Sequence, residues 1–290
     1  MSWPPRAMKL IYDPWMIRSR SFNDICRFAA EMDYAGIELS PRDDFLPLFD
    51  RPVADSESIS SLKRAIKTYS IELVSVWTVY RWAEPNDPDA REMARRYFRR
   101  FVEIAEELGC PHVSSEFGGD WNQVQRSQAA FQESIEQVLP FMERAGITLS
   151  LDPHPGDWIE DGRKAVDLIR ELNSPHLRFL YSVPHTFYLD SQNKLPDFIR
   201  YVAPYISFIR VADTFDHRPL VRYIVNPLGA PVRVHQHLNI GEGEINWSAL
   251  FSLLKGIGYQ GCISNSVFAW PDRVEESAIL MRQKMSELCS

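Results

Sequence analysis

Short apolar runs alternate with longer amphipathic stretches from one end of the chain to the other. Short runs that are fully apolar or alternate with period two predict strands, whereas apolar positions at helical spacing predict helices. Eight strands are predicted, at Met8–Tyr12, Gly36–Leu39, Glu72–Trp77, His112–Glu116, Thr148–Asp152, Arg178–Ser182, Ser207–Ala212 and Cys262–Val267.

A helix is predicted after each strand, at Phe22–Met32, Ser58–Tyr69, Asp89–Leu108, Gln128–Ala145, Arg163–Leu172, Pro196–Val202, Trp247–Gly256 and Arg273–Leu288. Several helices end at a glycine directly before the next strand, as a helix C-cap requires: Gly36, Gly109, Gly146 and Gly258. This order predicts an α/β fold, a (β/α)8 TIM barrel with residues 1–290 in a single domain. An open doubly wound sheet fits less well, because no GxGxxG turn follows the first strand.

The connection from Thr214 to Asn246, after the seventh strand, is the one long departure from this pattern. Long loops in compact domains are usually functional, and barrel enzymes carry their chemistry at the C-terminal ends of the strands. We therefore expect the functional residues just after each strand and in the 214–246 loop.

Composition narrows the class of partner. The 290 residues are 45% hydrophobic and carry a net charge of -7, which argues against nucleic acid and anionic membranes as partners. No apolar run approaches the ~20 residues of a membrane span, and residues 1–8 lack the apolar segment of a secretory signal, so we expect a cytoplasmic protein. The four cysteines show no CxxC pair and are expected to be free thiols.

Histidines concentrate where the predicted strands end. Five of the seven lie at such ends or in the long loop: His154, His185, His217, His235 and His237. Imidazoles and a carboxylate from different strands can hold a divalent cation, and an uncoordinated imidazole can act as a general base. A single histidine at a strand end is more often structural, so it is the concentration that favours a site.

Other residues at the strand ends have two interpretations. Glu116 and Asp213 either contact a substrate or cap the following helices. Arg210 lies inside a strand pattern, which favours an orientation into the barrel mouth. Trp77, Tyr80 and Trp82 belong either to the core or to an aromatic wall of the pocket, and their place after the third strand favours the wall.

Three segments resemble the xylose-isomerase-like barrel superfamily of sugar phosphate isomerases and epimerases: Asp152-Pro153-His154-Pro155, Val211-Ala212-Asp213 and Asn239–Trp247. Five others resemble the α subunit of bacterial C-glycoside deglycosidases: Ile37–Pro47, Ser115–Phe117, Pro184–Phe187, Arg233–Leu238 and Phe268–Trp270. The closer resemblance implies a lyase that cleaves the bond between an aglycone carbon and a 3-oxo-sugar. It also implies a divalent metal, typically manganese, with zinc, magnesium or iron as alternatives, and a smaller β subunit in a higher oligomer.

The resemblance implies roles for individual residues. His154 is expected to remove the proton next to the sugar ketone, with Asp213 also in the catalytic group, while a metal stabilises the enolate. The metal ligands of the epimerase pattern are Glu, Asp, His and Glu, and the matching positions here are Asp152, Ser182, Arg210 and Asn265. Only one of them keeps a carboxylate, so Asp152, His185 and His237 are expected to hold the metal. The expected substrate-binding residues are Glu116, Arg210, Trp77, Tyr80, Trp82 and His235.

Three alternatives stay open. Arg210 could occupy the place of the metal with its own fixed charge, which would leave a metal-free enzyme or a silent subunit. The activity could be that of a sugar or sugar phosphate isomerase or epimerase, because these share the first half of the chemistry with the lyase. The chain could also be a non-catalytic barrel subunit of a heteromer.

Overall fold

Parallel strands form a closed barrel, as the sequence predicts. The computed structural model describes residues 8–190, 194–216, 222–224, 230–232 and 236–290. The barrel strands are β1 Lys9–Tyr12, β2 Gly36–Leu39, β3 Glu72–Trp77, β4 His112–Glu116, β5 Thr148–Asp152, β6 Leu177–Ser182, β7 Ile206–Val211 and β10 Cys262–Asn265. They follow the order β1-β10-β7-β6-β5-β4-β3-β2 around a single (β/α)8 barrel. The strands β8 Arg222–Ile224 and β9 Ala230–Val232 form a separate antiparallel pair within the long loop.

Helices connect the strands. They are α1 Phe22–Glu31, α2 Ser56–Tyr69, α3 Pro88–Leu108, α4 Val124–Ala145, α5 Gly162–Leu172, α6 Val183–Asp190, α7 Leu195–Val202, α8 Trp247–Gly256 and α9 Val274–Cys289. The sequence pattern predicts all of these except α6, whose residues VPHTFYLD lack the spacing of apolar and polar positions of an amphipathic helix. Because α6 begins directly after β6, its first turn brings His185 to the barrel mouth.

Local side-chain chemistry fixes the helix ends. Several helices begin at a residue whose side-chain oxygen accepts a hydrogen bond from a backbone N–H of the first turn: Ser21, Asp55, Asp87, Asp161 and Asn246. At the other ends, Gly109 and Gly146 adopt φ angles of 68° and 65°, as predicted for C-caps. Gly36 is different, and its prediction as a cap is wrong. It begins β2, and a Cβ there would lie 2.6 Å from the carbonyl oxygen of Glu72, so glycine allows β2 to approach β3 closely.

Packing separates an apolar layer from a polar centre. Aromatic side chains such as Phe98, Phe131 and Phe198 are fully buried in the layer of helices. Several charged residues are also buried, and four of them lie toward the C-terminal ends of the barrel strands: Asp13, Glu38, Asp152 and Arg210. Buried charges are costly unless they are paired, so this end of the barrel is where a functional site is to be sought.

Two further expectations concern the whole chain. All four cysteines are free, as predicted, and Cys26 and Cys110 are buried. Among the helices of the described residues, none has both the length and the apolar character needed to cross a membrane.

Candidate active site

A buried arginine lies at the centre of the barrel mouth. Arg210, on β7, donates from Nε and Nη2 to the Glu38 carboxylate on β2, at 2.7 to 3.1 Å. It also donates from Nη1 to Asp152 Oδ2, at the end of β5, at 3.0 Å. Burial raises the pKa of Asp152 to about 7, and the nearby Arg210 charge partly offsets this rise. The guanidinium thus links three strands that are not neighbours in the barrel.

A chain of imidazoles begins at the other oxygen of Asp152. Asp152 Oδ1 lies 3.0 Å from Nδ1 of His185, and Nε2 of His185 lies 3.3 Å from Nε2 of His237. Nδ1 of His237 lies 2.6 Å from the carbonyl oxygen of Ser266. Because a carbonyl oxygen only accepts, we assign the His237 proton to Nδ1, which leaves Nε2 with a lone pair. Burial, reinforced by the neighbouring His185, lowers the pKa of His237 well below its usual value.

The second histidine group is more open to solvent. His154, two residues after β5, lies with Nε2 3.8 Å from Oε1 of Glu116, at the end of β4, and their side chains are 26% and 21% exposed. Asp157 accepts a 2.8 Å hydrogen bond from the backbone N–H of Gly118. Burial, reinforced by Asp152, raises the pKa of Glu116, and burial with the Glu116 charge raises that of Asp157 well above its usual value. Both carboxyl groups therefore hold a proton more readily than exposed ones do.

A cavity of about 530 Å³ adjoins this second group. Glu116, Asp157 and Tyr80 line it, together with Phe49 at the rim. Its volume falls within the range of small-molecule sites, about 300–1,000 Å³. A ligand in this cavity would thus contact the Glu116 carboxylate.

The aromatic residues predicted as a pocket wall separate into different environments. Trp77 stacks on Trp15, and the Arg210 guanidinium carbon lies 4.9 Å from the centre of its ring, so Trp77 belongs to the mouth. Trp82 has no exposed surface and packs against Phe98 and Phe131. The expectation that Trp82 binds substrate is therefore corrected, because its side chain is part of the core. Tyr80 borders the cavity but is only 1% exposed.

Asp213 binds the backbone of the loop that follows β7. Its carboxylate accepts hydrogen bonds from the backbone N–H groups of Thr214, Gly241 and Ile245, at 2.8 to 3.2 Å. The residue is fully buried and also pairs with Leu238 through its backbone. These contacts explain Asp213 as an anchor of the 238–245 segment and give no support to the predicted catalytic role.

Two of the predicted histidines cannot be placed, and three acidic residues of the barrel mouth were not predicted. His235, expected to bind substrate, and His217 lie outside the described residues. Sequence reasoning missed Asp13, Glu38 and Asp157. Glu38 had a usable signal, since it is a charge inside an apolar strand, the same feature that drew attention to Arg210. Asp13 directly follows β1, and burial raises its pKa to about 7.

The four positions that the resemblance assigns to a metal do not fit a divalent ion. Ser182 and Asn265 are uncharged and buried, and Arg210 already brings a positive charge to this place. The remaining carboxylate, Asp152, uses one oxygen for Arg210 and the other for His185. These contacts argue against the expectation that Asp152 is a metal ligand, and they assign it the orientation of His185 instead.

Another group of the described residues has the composition of a metal site. Glu116, His154 and Asp157 each offer one ligand atom, and these atoms lie within 4.8 Å of one another. Two carboxylate oxygens and an imidazole nitrogen suit divalent metals such as Mn, Fe or Zn.

The comparisons with known proteins support the barrel fold. Residues 26–284 match the protein family described as "Xylose isomerase-like TIM barrel". Similar solved structures include a 3-keto-D-glucoside 4-epimerase from E. coli, with a TM-score of 0.73 and 17% identity over 97% of this chain and 98% of that chain.

A D-allulose 3-epimerase from Methylomonas sp. has a TM-score of 0.72 and 12% identity over 99% of this chain and 100% of that chain. The IOLI protein, solved with a zinc atom, has a TM-score of 0.73 and 16% identity over 97% of this chain and 96% of that chain. No curated protein sequence matches the chain. At these identities the structural likeness establishes the fold alone.

Proposed function

The chain belongs to the xylose isomerase-like TIM barrel family, and from this premise we propose that it is an enzyme that epimerises or isomerises a sugar by removing a proton next to a carbonyl group. Two of the similar structures are sugar epimerases, which favours this activity over the carbon–carbon lyase of the closer resemblance. Neutral sugars also agree with the net charge of -7 better than phosphorylated ones do.

The pair formed by His154 and Glu116 carries the proposal. An epimerase must take a proton from carbon and return one, so it needs two groups that exchange protons within reach of the same substrate. His154 and Glu116 are 3.8 Å apart and partly exposed, and Glu116 lines the cavity.

His154 takes the proton, and the electron pair of the broken C–H bond moves to the carbonyl oxygen as an enolate. Glu116, whose pKa is raised by burial, returns a proton to carbon. Return of the proton to the same carbon on the opposite face gives an epimer. Return to the neighbouring carbon gives an isomer, and the hydroxyl proton of the first carbon then moves to the oxygen of the neighbouring one.

The lyase remains the second candidate, because it shares the same enolate. In that reaction the enolate expels a carbon-linked aglycone instead of regaining a proton. The cavity favours it to the extent that about 530 Å³ exceeds the needs of one sugar ring. This candidate carries with it the manganese ion and the small β subunit implied by the resemblance, and co-elution with such a subunit in size-exclusion chromatography would support it.

Deuterium uptake from heavy water tests the shared step. We expect the wild-type protein to exchange the proton next to the ketone of methyl 3-oxo-β-D-glucoside or of D-allulose, as followed by NMR. His154→Gln should slow the exchange by about 100-fold or more, since it removes the base. His176→Gln is the matched control and should exchange like wild type, because His176 contacts Ile147 at the opposite end of the barrel.

Three outcomes separate the candidates. An epimer as product supports the first, and a released aglycone from a 3-oxo-C-glucoside supports the second. The absence of exchange with all of these ketosugars, or exchange by His154→Gln within a few-fold of wild type, would contradict the proposed chemistry.

A further inference from the structure

Phe49 is an exposed aromatic residue in a backbone conformation that does not suit it. The residue lies in the loop between β2 and α2 and is 56% exposed. Its φ angle is 62°, in the left-handed region that bulky side chains rarely adopt. Neither the exposed ring nor this conformation stabilises the fold, and strain of this kind is concentrated where proteins hold ligands. A role in binding explains both features.

Hydrogen bonds to the end of β3 hold the loop that carries Phe49. The backbone N–H of Phe49 donates to the carbonyl oxygen of Val79, two residues beyond β3, at 3.0 Å. Oγ1 of Thr78, the residue directly after β3, donates to the carbonyl oxygen of Pro47 at 2.7 Å. The loop is therefore fastened to β3 at two points, and the phenyl ring is presented in a fixed position before any ligand binds.

The cavity that Phe49 borders also has an ion pair in its lining. Arg81 and Glu84 both line it, with Nη2 of Arg81 3.0 Å from Oε2 of Glu84. The other oxygen of Glu84 accepts a 3.3 Å hydrogen bond from the backbone N–H of Asn86, which orients the carboxylate. A pyranose ring has an apolar C–H face and hydroxyl groups at its edge. An aromatic ring together with a guanidinium–carboxylate pair matches both parts of such a ring.

The same cavity reaches the reacting groups. Glu116 lines it, and Oε1 of Glu116 lies 3.8 Å from Nε2 of His154. Its volume of about 530 Å³ leaves room beyond the sugar that presents a C–H bond to His154. A ring joined to that sugar would extend from Glu116 toward Phe49 without leaving the cavity.

We propose that Phe49, Arg81 and Glu84 form a subsite for a second pyranose ring, so that the substrate is a disaccharide with a ketone on one of its rings. This inference rests on the proposed function, because the first ring is the one that loses its proton to His154. The second ring places its C–H face on Phe49, and its hydroxyl groups form hydrogen bonds with Arg81 and Glu84. All three are binding residues and take no part in the proton transfer.

Equilibrium binding measures the subsite without turnover. The full chain with His154→Gln, which slows the reaction, is titrated calorimetrically with one-ring and two-ring ketosugars. The one-ring probes are the α and β anomers of methyl 3-oxo-D-glucoside, and the two-ring probes are the 3-oxo derivatives of cellobiose, maltose and trehalose. We expect at least one disaccharide to bind about 10-fold more tightly than the one-ring probe of the same anomeric configuration, because its second ring stacks on Phe49.

Variants of Phe49 in the same background separate binding from structure. Asparagine tolerates the left-handed conformation, so Phe49→Asn should leave the free energy of unfolding unchanged or raise it, whereas the preference for the disaccharide should fall below two-fold. Phe49→Tyr keeps the ring and should keep the preference. Arg81→Met should lower it to about a third, because a hydrogen-bond donor is lost. Val53→Ala is the matched control and should not change it, since Val53 lies in the same loop, is 52% exposed and lines a different recess.

A preference for a disaccharide that is lost in folded Phe49→Asn supports the subsite. Equal affinity for one-ring and two-ring probes overturns it, as does a preference that survives Phe49→Asn. Tighter binding of phenyl 3-oxo-β-D-glucoside with no gain for the disaccharides also overturns it, and assigns Phe49 to an aryl aglycone. Proton exchange is measured separately on methyl 3-oxo-β-D-glucoside, which has no second ring, so failure of the proposed function is distinguishable from failure of the subsite.

Discussion

Replacing Arg210 by methionine should destabilise the barrel, and by an amount that depends on pH. The substitution removes all of the hydrogen bonds from the guanidinium to Glu38 and Asp152 and leaves both carboxyl groups buried without their cation. Removing one partner of a buried ion pair costs about 3–5 kcal/mol. We expect this full cost where the carboxyl groups are ionised.

Protonation of the buried carboxyl groups at low pH reduces the destabilisation that Arg210→Met causes. The folded-state pKa of Asp152 is already raised to about 7 by burial, although Arg210 holds it down, so the pKa rises further in the variant. A carboxyl group with a raised folded-state pKa stabilises the protein below its unfolded pKa, and this contribution is lost as the pH rises through the folded value. The variant should therefore lose about 3–5 kcal/mol near pH 8.5 and about half of that or less near pH 5.5.

Urea unfolding followed by tryptophan fluorescence measures the difference at the two pH values. Arg200→Met is the matched control, because Arg200 pairs with Asp197 on the surface of α7, and we expect a change of less than about 0.5 kcal/mol. The double variant Arg210→Met/Glu38→Gln should recover part of the loss, since it removes one of the unpaired charges. A loss below about 1 kcal/mol near pH 8.5, or an equal loss at both pH values, would refute the reasoning.

Three further predictions concern other buried groups. Burial, with the nearby Glu38 charge, raises the pKa of Asp13 to about 7, so the stability of the wild-type protein should fall as the pH rises through 7. Asp13→Asn should flatten this pH dependence, as measured by thermal unfolding between about pH 5 and 8.5. An unchanged slope would exclude Asp13 as the source of the dependence. Asp213→Ala leaves three backbone N–H groups without their acceptor and should lower the free energy of unfolding by about 2–4 kcal/mol. The direct readout is faster hydrogen exchange at the amides of Gly241 and Ile245. Slow exchange at these amides would contradict the anchoring role. Gly36→Ala places a Cβ 2.6 Å from the carbonyl oxygen of Glu72 and should lower the free energy of unfolding by about 1–3 kcal/mol. Gly256→Ala is the control, because Gly256 lies in α8 with open space around it, and this change should be neutral or stabilising by up to about 1 kcal/mol. Equal effects of the two changes in urea unfolding would refute the steric argument.

The sequence predicts the barrel well because strands and helices are recognised from residues that are close together in the chain. Apolar runs and helix caps identify all eight barrel strands to within two residues at their ends. The helix α6 is missed because its apolar residues lack the periodicity on which prediction depends. Gly36 is misread because its reason is a contact with Glu72 of the neighbouring strand.

The candidate site is predicted only in outline, because its pairings are not local. The strand-end pattern points to His154, His185 and His237, and the structure places all three at the barrel mouth. Nothing near Asp152 in the sequence shows that Arg210 occupies one of its oxygens. Likewise, Trp77 ends β3 and Trp82 lies just beyond it, and only the packing of α3 and α4 against Trp82 distinguishes its buried ring from the Trp77 ring in the mouth.

The link between Arg210 and Glu38 has a consequence for how the chain is assembled. The two residues are separated by 172 positions, and Asp152 also belongs to the earlier part of the chain. As the chain leaves the ribosome, the strands that carry Glu38 and Asp152 are complete well before the residue that neutralises them exists. An amino-terminal fragment that stops short of β7 would hold Glu38 and Asp152 turned inward without the arginine that pairs with both, although Asp152 would keep its contact with His185. Closure of the first five units is therefore electrostatically unfavourable until the seventh is present. Completion of the barrel is in this way tied to the synthesis of a single arginine.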